Sequence, residues 1–234
     1  LTLLRRDHFR VYGGVRFGGT ITAEDAWSLG FHHVAIAAGA GRPTIVDMKN
    51  NLLPGIRKAS DFLMALQLTG AFKRFALANL QLRLPAIVIG GGLTGIDTAT
   101  ESLAYYPLQV EKTLERYERV VAERGEEGVR KEFAVSELAI LDEFLEHGRA
   151  VRAERARAAD AREAPNFKPL TDRWGGVALC YRKSMQDSPA YRLNHEEVAK
   201  FLEEGVKFIE HVDPREAIPD ETLPQWWELV VGGG

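Results

Sequence analysis

Residues 88–97, VIGGGLTGID, set the fold: an apolar run breaks into three consecutive glycines and climbs at once into helix-forming residues. Just before them, 84–89 (LPAIVI) is a short apolar run bounded by Pro and Gly, as expected for a strand buried on both faces of a parallel sheet. After the glycines, Ile96, Ala99, Leu103 and Ala104 recur at helical spacing, so the unit is predicted to be strand, turn, helix. Gly90, Gly92 and Gly95 satisfy G-x-G-x-x-G at that place. The first glycine permits the tight turn, the second lets the backbone approach a pyrophosphate, and the third lets helix and strand pack closely. A helix start adds unpaired N–H groups and the positive end of the helix dipole. Gly90, Gly91, Gly92, Leu93, Thr94 and Gly95 are therefore predicted to cradle the phosphates of a dinucleotide. A purely structural strand-to-helix corner is the competing interpretation. A mononucleotide P-loop fails, because no Gly-Lys-Ser/Thr follows.

Downstream, 175–184 (GGVALCYRKS) reads as a second buried strand with a basic end. LNHEEVAKFLEEGVKFIEHV then predicts a helix with Asn194 as N-cap, Glu197 at its third position, an apolar face of Val198, Phe201 and Leu202, and Gly205 as its stop. A strand at 206–209 follows, so 84–209 alternates β-α-β-α-β, the order of a parallel sheet with right-handed crossovers. NAD proteins place an acid at the second strand end for the ribose 2′-OH, whereas a 2′-phosphate needs cations. Arg182 and Lys183 stand there, with Arg192 as a third candidate, so NADPH is the predicted ligand unless these are ordinary solvent-facing residues. Asp187 lies too far on to be assigned the ribose.

That strand end normally follows the glycines by about 20 residues. Here 108–172 intervenes. Val110, Leu114, Tyr117 and Val121 share one helical face, as do Leu138, Leu141 and Leu145, and RAVRAERARAADARE is a charged, Ala-rich helix. The segment is predicted to be a helical insertion. Its cations alternate with acids and lack aromatic stacking residues, which describes a solvated face rather than a nucleic-acid arm. Upstream, 11–52 reads as β-rich around a short helix start, and 59–68 as a connector helix with Ser60 as N-cap.

Composition agrees with an ordinary globular protein: 234 residues, 45% hydrophobic and 27% charged, with a net charge of −3 that gives no basic field for nucleic acid. The single cysteine, Cys180, excludes an intramolecular disulfide and reads as an inert mid-strand thiol. His32 and His33 would point to opposite strand faces, and the other histidines show no ligand spacing. No apolar run approaches the roughly 18 residues of a membrane span, and LTLLRRDHFR lacks the order of a signal peptide, so a cytoplasmic protein is predicted. The start without Met, the stop at WELVVGGG, and the pair Trp226 and Trp227 suggest part of a longer protein.

LPAIVIGGGLTGIDTATE, VALCYRKSMQDSPAYRLNHEEV and EEGVKFIEHVDPREAI together resemble the NADPH-binding domain of the glutamate synthase small-subunit family of flavin oxidoreductases, in the wider pyridine nucleotide-disulfide oxidoreductase group. Tyr181, Arg182 and Lys183 match that family's basic strand end, and Glu203, Glu204 and Gly205 its helix end. VRFGGTITAEDAWSLGFHHVAIAAGAGRP is similar to the segment that closes the family's first FAD half-domain, with Gly39 as the glycine that approaches the flavin nucleotide. The resemblance covers 11–107 and 173–220. The family's first FAD fingerprint, its later Gly-Asp motif and its iron–sulfur cysteines have no counterpart here. It implies an α/β fold: a Rossmann-like parallel sheet forming an NAD(P)-binding domain (84–107 and 173–234) with a helical insertion (108–172), a connector (56–83), and part of an FAD-binding domain (1–55). It implies hydride transfer from NADPH to FAD and an electron-accepting partner subunit. The alternative is a nucleotide-free scaffold whose helical insertion docks a partner.

Overall fold

The computed structural model describes residues 5–37 and 43–219 and the backbone of 229–231. The chain divides into two compact units, residues 1–42 and 43–234.

In the first unit, helix α1 (Ala23–Ser28) begins at a capping box: the Thr22 hydroxyl accepts from the Asp25 N–H while the Asp25 carboxylate accepts from the Thr22 N–H. The β-rich character expected over 11–52 is not found. The described residues of this unit hold a single isolated bridge, Phe17 to Ile21. Val11, Tyr12, Phe17, Trp27 and Ile36 are all exposed, and a strand with no opposing surface to bury it is marginal in water. Gly39, the residue matched to the flavin-binding glycine, lies outside the described residues.

In the second unit, β1 (Arg57–Lys58) runs into α2 (Ala59–Leu68), and β2 (Ala86–Ile89) into α3 (Leu93–Arg124). Then come α4 (Glu126–Arg130), α5 (Val135–Ala161), α6 (Lys168–Arg173), β3 (Val177–Cys180), α7 (Pro189–Leu193), α8 (His195–Glu203), β4 (Lys207–Ile209) and β5 (Leu229–Val231). All pairings are parallel, in the order β1-β5-β2-β3-β4, with Val88 opposite Leu179 and Leu179 opposite Phe208. The helix predicted at 59–68 has those bounds, but Lys58 holds the N-cap position. Ser60 lies inside the first turn, its hydroxyl buried without a hydrogen-bond partner among the described residues.

The predicted fold class is overturned. Helix accounts for 48% of the chain and strand for 8%, so a Rossmann-like α/β domain with part of an FAD-binding domain is not what the chain displays. The reason lies at the expected boundary of 107 and 108, where α3 does not break. It runs 32 residues straight through Pro107, because Tyr106, Val110 and Leu114 continue one apolar stripe that α5 covers. Segment 108–172 is helical, as expected, but it continues α3 without a break: α3 and α5 form a helical hairpin that shares its core with Phe62, Val88 and Leu179. No helix among the described residues is long and apolar enough to cross a membrane.

A buried polar pair joins the hairpin. Tyr106, fully buried, is hydrogen-bonded through its hydroxyl to His147 Nδ1 at 2.7 Å, and the imidazole stacks on Trp174 with centroids 3.9 Å apart. Burial holds the His147 pKa below its ordinary 6.5, with Glu143 and Glu146 opposing and Arg83 adding to the shift. A depressed folded-state pKa means that the unfolded chain binds the extra proton first. Stability is therefore expected to be level above about pH 6.5 and to decline as the pH falls below it. Urea midpoints between pH 8 and pH 5 check this, and His147→Gln should flatten that part of the profile.

Candidate functional site

Three features of the 90–95 corner follow from its backbone. Gly90 has φ +143°, a conformation that side chains disfavour. A Cβ on Gly95 would lie 3.1 Å from the Gly90 carbonyl oxygen and 3.4 Å from Leu179 Cδ1, so helix and strand pack as closely as the third glycine was predicted to allow. Gly92 is the N-cap of α3 and offers no side-chain cap. The Gly90 N–H is taken by the Cys180 carbonyl, and those of Gly95 and Ile96 by Gly92. In between, the N–H groups of Gly91, Gly92, Leu93 and Thr94 have no acceptor among the described residues. These four consecutive N–H groups, without an acceptor among the described residues, stand at the positive end of a 32-residue helix, an arrangement whose chemistry suits an anion.

Beside them lies a cavity of about 560 Å³ lined by Gly90, Gly91 and Gly92, by Cys180, Tyr181 and Arg182, and by Thr44, Val46, Asp47 and Val212, Asp213, Pro214. The last two segments are fastened together. The Lys49 N–H donates to Arg215, the Ala217 N–H to Lys49 (3.0 Å each), and Lys49 pairs with Glu216 at 2.6 Å. Sequence inspection missed this wall. Nothing local marks 44–47 and 212–214 as neighbours, since more than 160 residues separate them.

The structure gathers some predicted residues and leaves others out. Gly90, Gly91, Gly92 and Arg182 line the cavity. Leu93, Thr94 and Gly95 form the first turn of α3 behind it. Lys183 and Arg192 are exposed and lie outside the lining, Arg192 in the last turn of α7. Arg182 is exposed and pairs with no acid among the described residues. Arg182 is the one cation among the described lining residues, beside the carboxylates of Asp47 and Asp213, the latter paired with Arg215 at 3.3 Å. Burial pushes the Cys180 thiol up, so it is a thiol, not a nucleophilic thiolate.

A second cavity of about 500 Å³ lies between α3, α4 and α5, and its polar groups are already engaged. Arg124 pairs with Glu132, Arg116 donates to the carbonyls of Ala76 and Leu77, and Gln109 exchanges bonds with the Leu82 backbone.

No protein-family model matches the chain. Over 214 residues, 92% of its length, the chain is 40% identical to an uncharacterized protein of Rickettsia prowazekii (strain Madrid E). The match takes in 28% of that protein, so the chain spans little more than a quarter of this relative.

Proposed function

We propose that the cavity at the 90–94 turn binds NADPH, with its diphosphate on the free N–H groups of Gly91, Gly92, Leu93 and Thr94. The chain would serve as the NADPH-binding portion of a longer, cytoplasmic, glutamate synthase-like flavin oxidoreductase. The single observation that carries this is the run of N–H groups without an acceptor among the described residues, Gly91 and Gly92 on the cavity lining with Leu93 and Thr94 behind them, at the carboxyl end of parallel strands, the place where such sheets take ligands. The cavity falls in the size range of small-molecule sites, about 300–1,000 Å³. Arg182 reads the 2′-phosphate, and the carboxylates of Asp47 and Asp213 accept ribose hydroxyls. When bound, NADPH supplies a hydride; this chain holds and orients it, and FAD and the electron-accepting partner belong to the rest of the longer protein. The rival interpretation of 108–172 as a docking platform gains no support, because Val120, Phe133 and Val135 are its only exposed large apolar side chains among the described residues.

Titration calorimetry of the chain with NADPH and NADH tests the proposal. Saturable binding is expected, tighter for NADPH. Arg182→Ala should weaken NADPH about tenfold, the loss of one charge-assisted contact of about 1.4 kcal/mol, with NADH unchanged. Lys183→Ala, outside the cavity, should leave both unaltered. Absence of binding, or a preference for NADH, overturns it.

A further inference from the structure

The middle glycine, Gly91, is not one of the three that the dinucleotide pattern requires, and its surroundings give it a separate reason. A Cβ there would lie 2.5, 2.6 and 2.8 Å from three ring atoms of Tyr181, so the ring rests directly on the backbone of the turn. Tyr181 is itself anchored. Its N–H donates to the Ile209 carbonyl (2.9 Å), its carbonyl accepts from Val212 (3.0 Å), and its ring meets Phe208 edge-on at 6.5 Å. Next to the turn, the Gly91 carbonyl accepts from the N–H of Ala190, a buried residue of α7, at 3.0 Å. A trans peptide is planar, so its C=O and the following N–H point in opposite directions. Holding the Gly91 carbonyl on α7 therefore directs the Gly92 N–H away from α7, free for another acceptor.

We infer that Tyr181 is a positioning residue of the phosphate site: its ring, packed on Gly91, keeps the Gly91–Gly92 peptide in the one orientation that leaves its N–H available. This rests on the phosphate site proposed above. Donors fixed in advance cost a ligand no ordering, whereas a turn free to rotate must be ordered on each binding event. The packing also explains why residue 91 is a glycine without invoking ligand approach.

Two readouts on the chain separate the inference from the site beneath it. Amide exchange followed by NMR needs no ligand: in Tyr181→Ala, exchange at Ala190 should quicken about tenfold relative to the other α7 amides, while Tyr181→Phe retains the wild-type rate. Binding is the second readout: Tyr181→Ala should weaken NADPH about tenfold with the melting temperature of the hairpin retained, and Tyr181→Phe should bind as wild type. Gly91→Ala, whose Cβ would displace the Tyr181 ring, should lose both properties. If the wild-type chain binds NADPH and Tyr181→Ala binds it equally or more tightly, the positioning role is overturned and the site stands. If the wild-type chain binds no NADPH, the site is overturned and this role in it falls too. Unchanged exchange at Ala190 overturns the inference whatever the ligand does.

Discussion

Gly148→Ala is expected to destabilise the chain by about 2 kcal/mol, although the same exchange in an ordinary helix interior stabilises by up to about 1 kcal/mol. Gly148 lies in α5 at its crossing with α3, where an added Cβ would stand 2.6 Å from the Val110 carbonyl oxygen and 2.9 Å from Leu114 Cβ. Neither atom is the far end of a flexible side chain, so the helices must separate. Separation uncovers Phe144, Leu145 and the His147 contact with Tyr106 on the same stretch. Overpacking of this kind costs about 1–3 kcal/mol, and an immovable carbonyl places it at the upper end, which outweighs the gain in helix propensity. Gly128→Ala is the matched control. Nothing lies within 4 Å of its added Cβ, so that variant should be neutral or up to about 1 kcal/mol more stable. Urea unfolding of the two variants should give opposite signs, and a stabilised Gly148→Ala would mean that α3 and α5 do not cross here.

Lys112→Met is the second large effect, expected at about 3 kcal/mol. Lys112 is 1% exposed, yet its ammonium donates to the carbonyls of Ala71 (3.0 Å), Lys73 (3.3 Å) and Ala78 (2.7 Å), all in the loop between α2 and β2. Burial holds its pKa below the ordinary lysine range, and the charge of Arg116 adds to this. The three carbonyls favour the charged form in return. Hydrogen bonds to a charge contribute about 1.5–3 kcal/mol each, and relief of the desolvated ammonium offsets part of their loss. Methionine fills the same channel but leaves the carbonyls unpaired. The other anchors of the loop, Arg116 on the Ala76 and Leu77 carbonyls, Arg74 on Glu115 and Gln109 on Leu82, are polar, and the Phe75 and Leu77 side chains are 96% and 92% exposed. Release should therefore be local as well as global, with tryptic cleavage after Lys73 and Arg74 accelerating before the rest of the chain unfolds. A variant with unchanged stability and cleavage would show that the loop does not depend on Lys112.

How much of this was legible beforehand depends on the range of the determining interaction. The strands at 86–89, 177–180 and 207–209 and the helices at 59–68 and 195–203 were readable, because a short apolar run or an amphipathic repeat bounded by Gly, Pro or a polar cap is a local signal. The same locality misled at 11–52, where short apolar runs suggest strands but, among the described residues, the side chains of Val11, Tyr12, Phe17 and Ile36 stay exposed. It also misled at 107–108, where the change of character looks like a boundary. There the stripe of Tyr106, Val110 and Leu114 is covered by residues some 40 positions away, and the helix carries on. At the site, the glycine corner and Arg182 were legible, while Lys183 and Arg192 could not be separated from it without knowing which way the chain turns after β3.

By itself, the sequence determined the strand-turn-helix corner and the need for glycine within it, because backbone conformation and close approach are properties of a few adjacent residues. Only the tertiary structure decided that the helix leaving that corner is half of a hairpin, that Tyr181 rests on Gly91, and that 44–47 and 212–214 close the cavity. Those contacts depend on packing between segments far apart in the chain, and packing leaves no local periodicity to read.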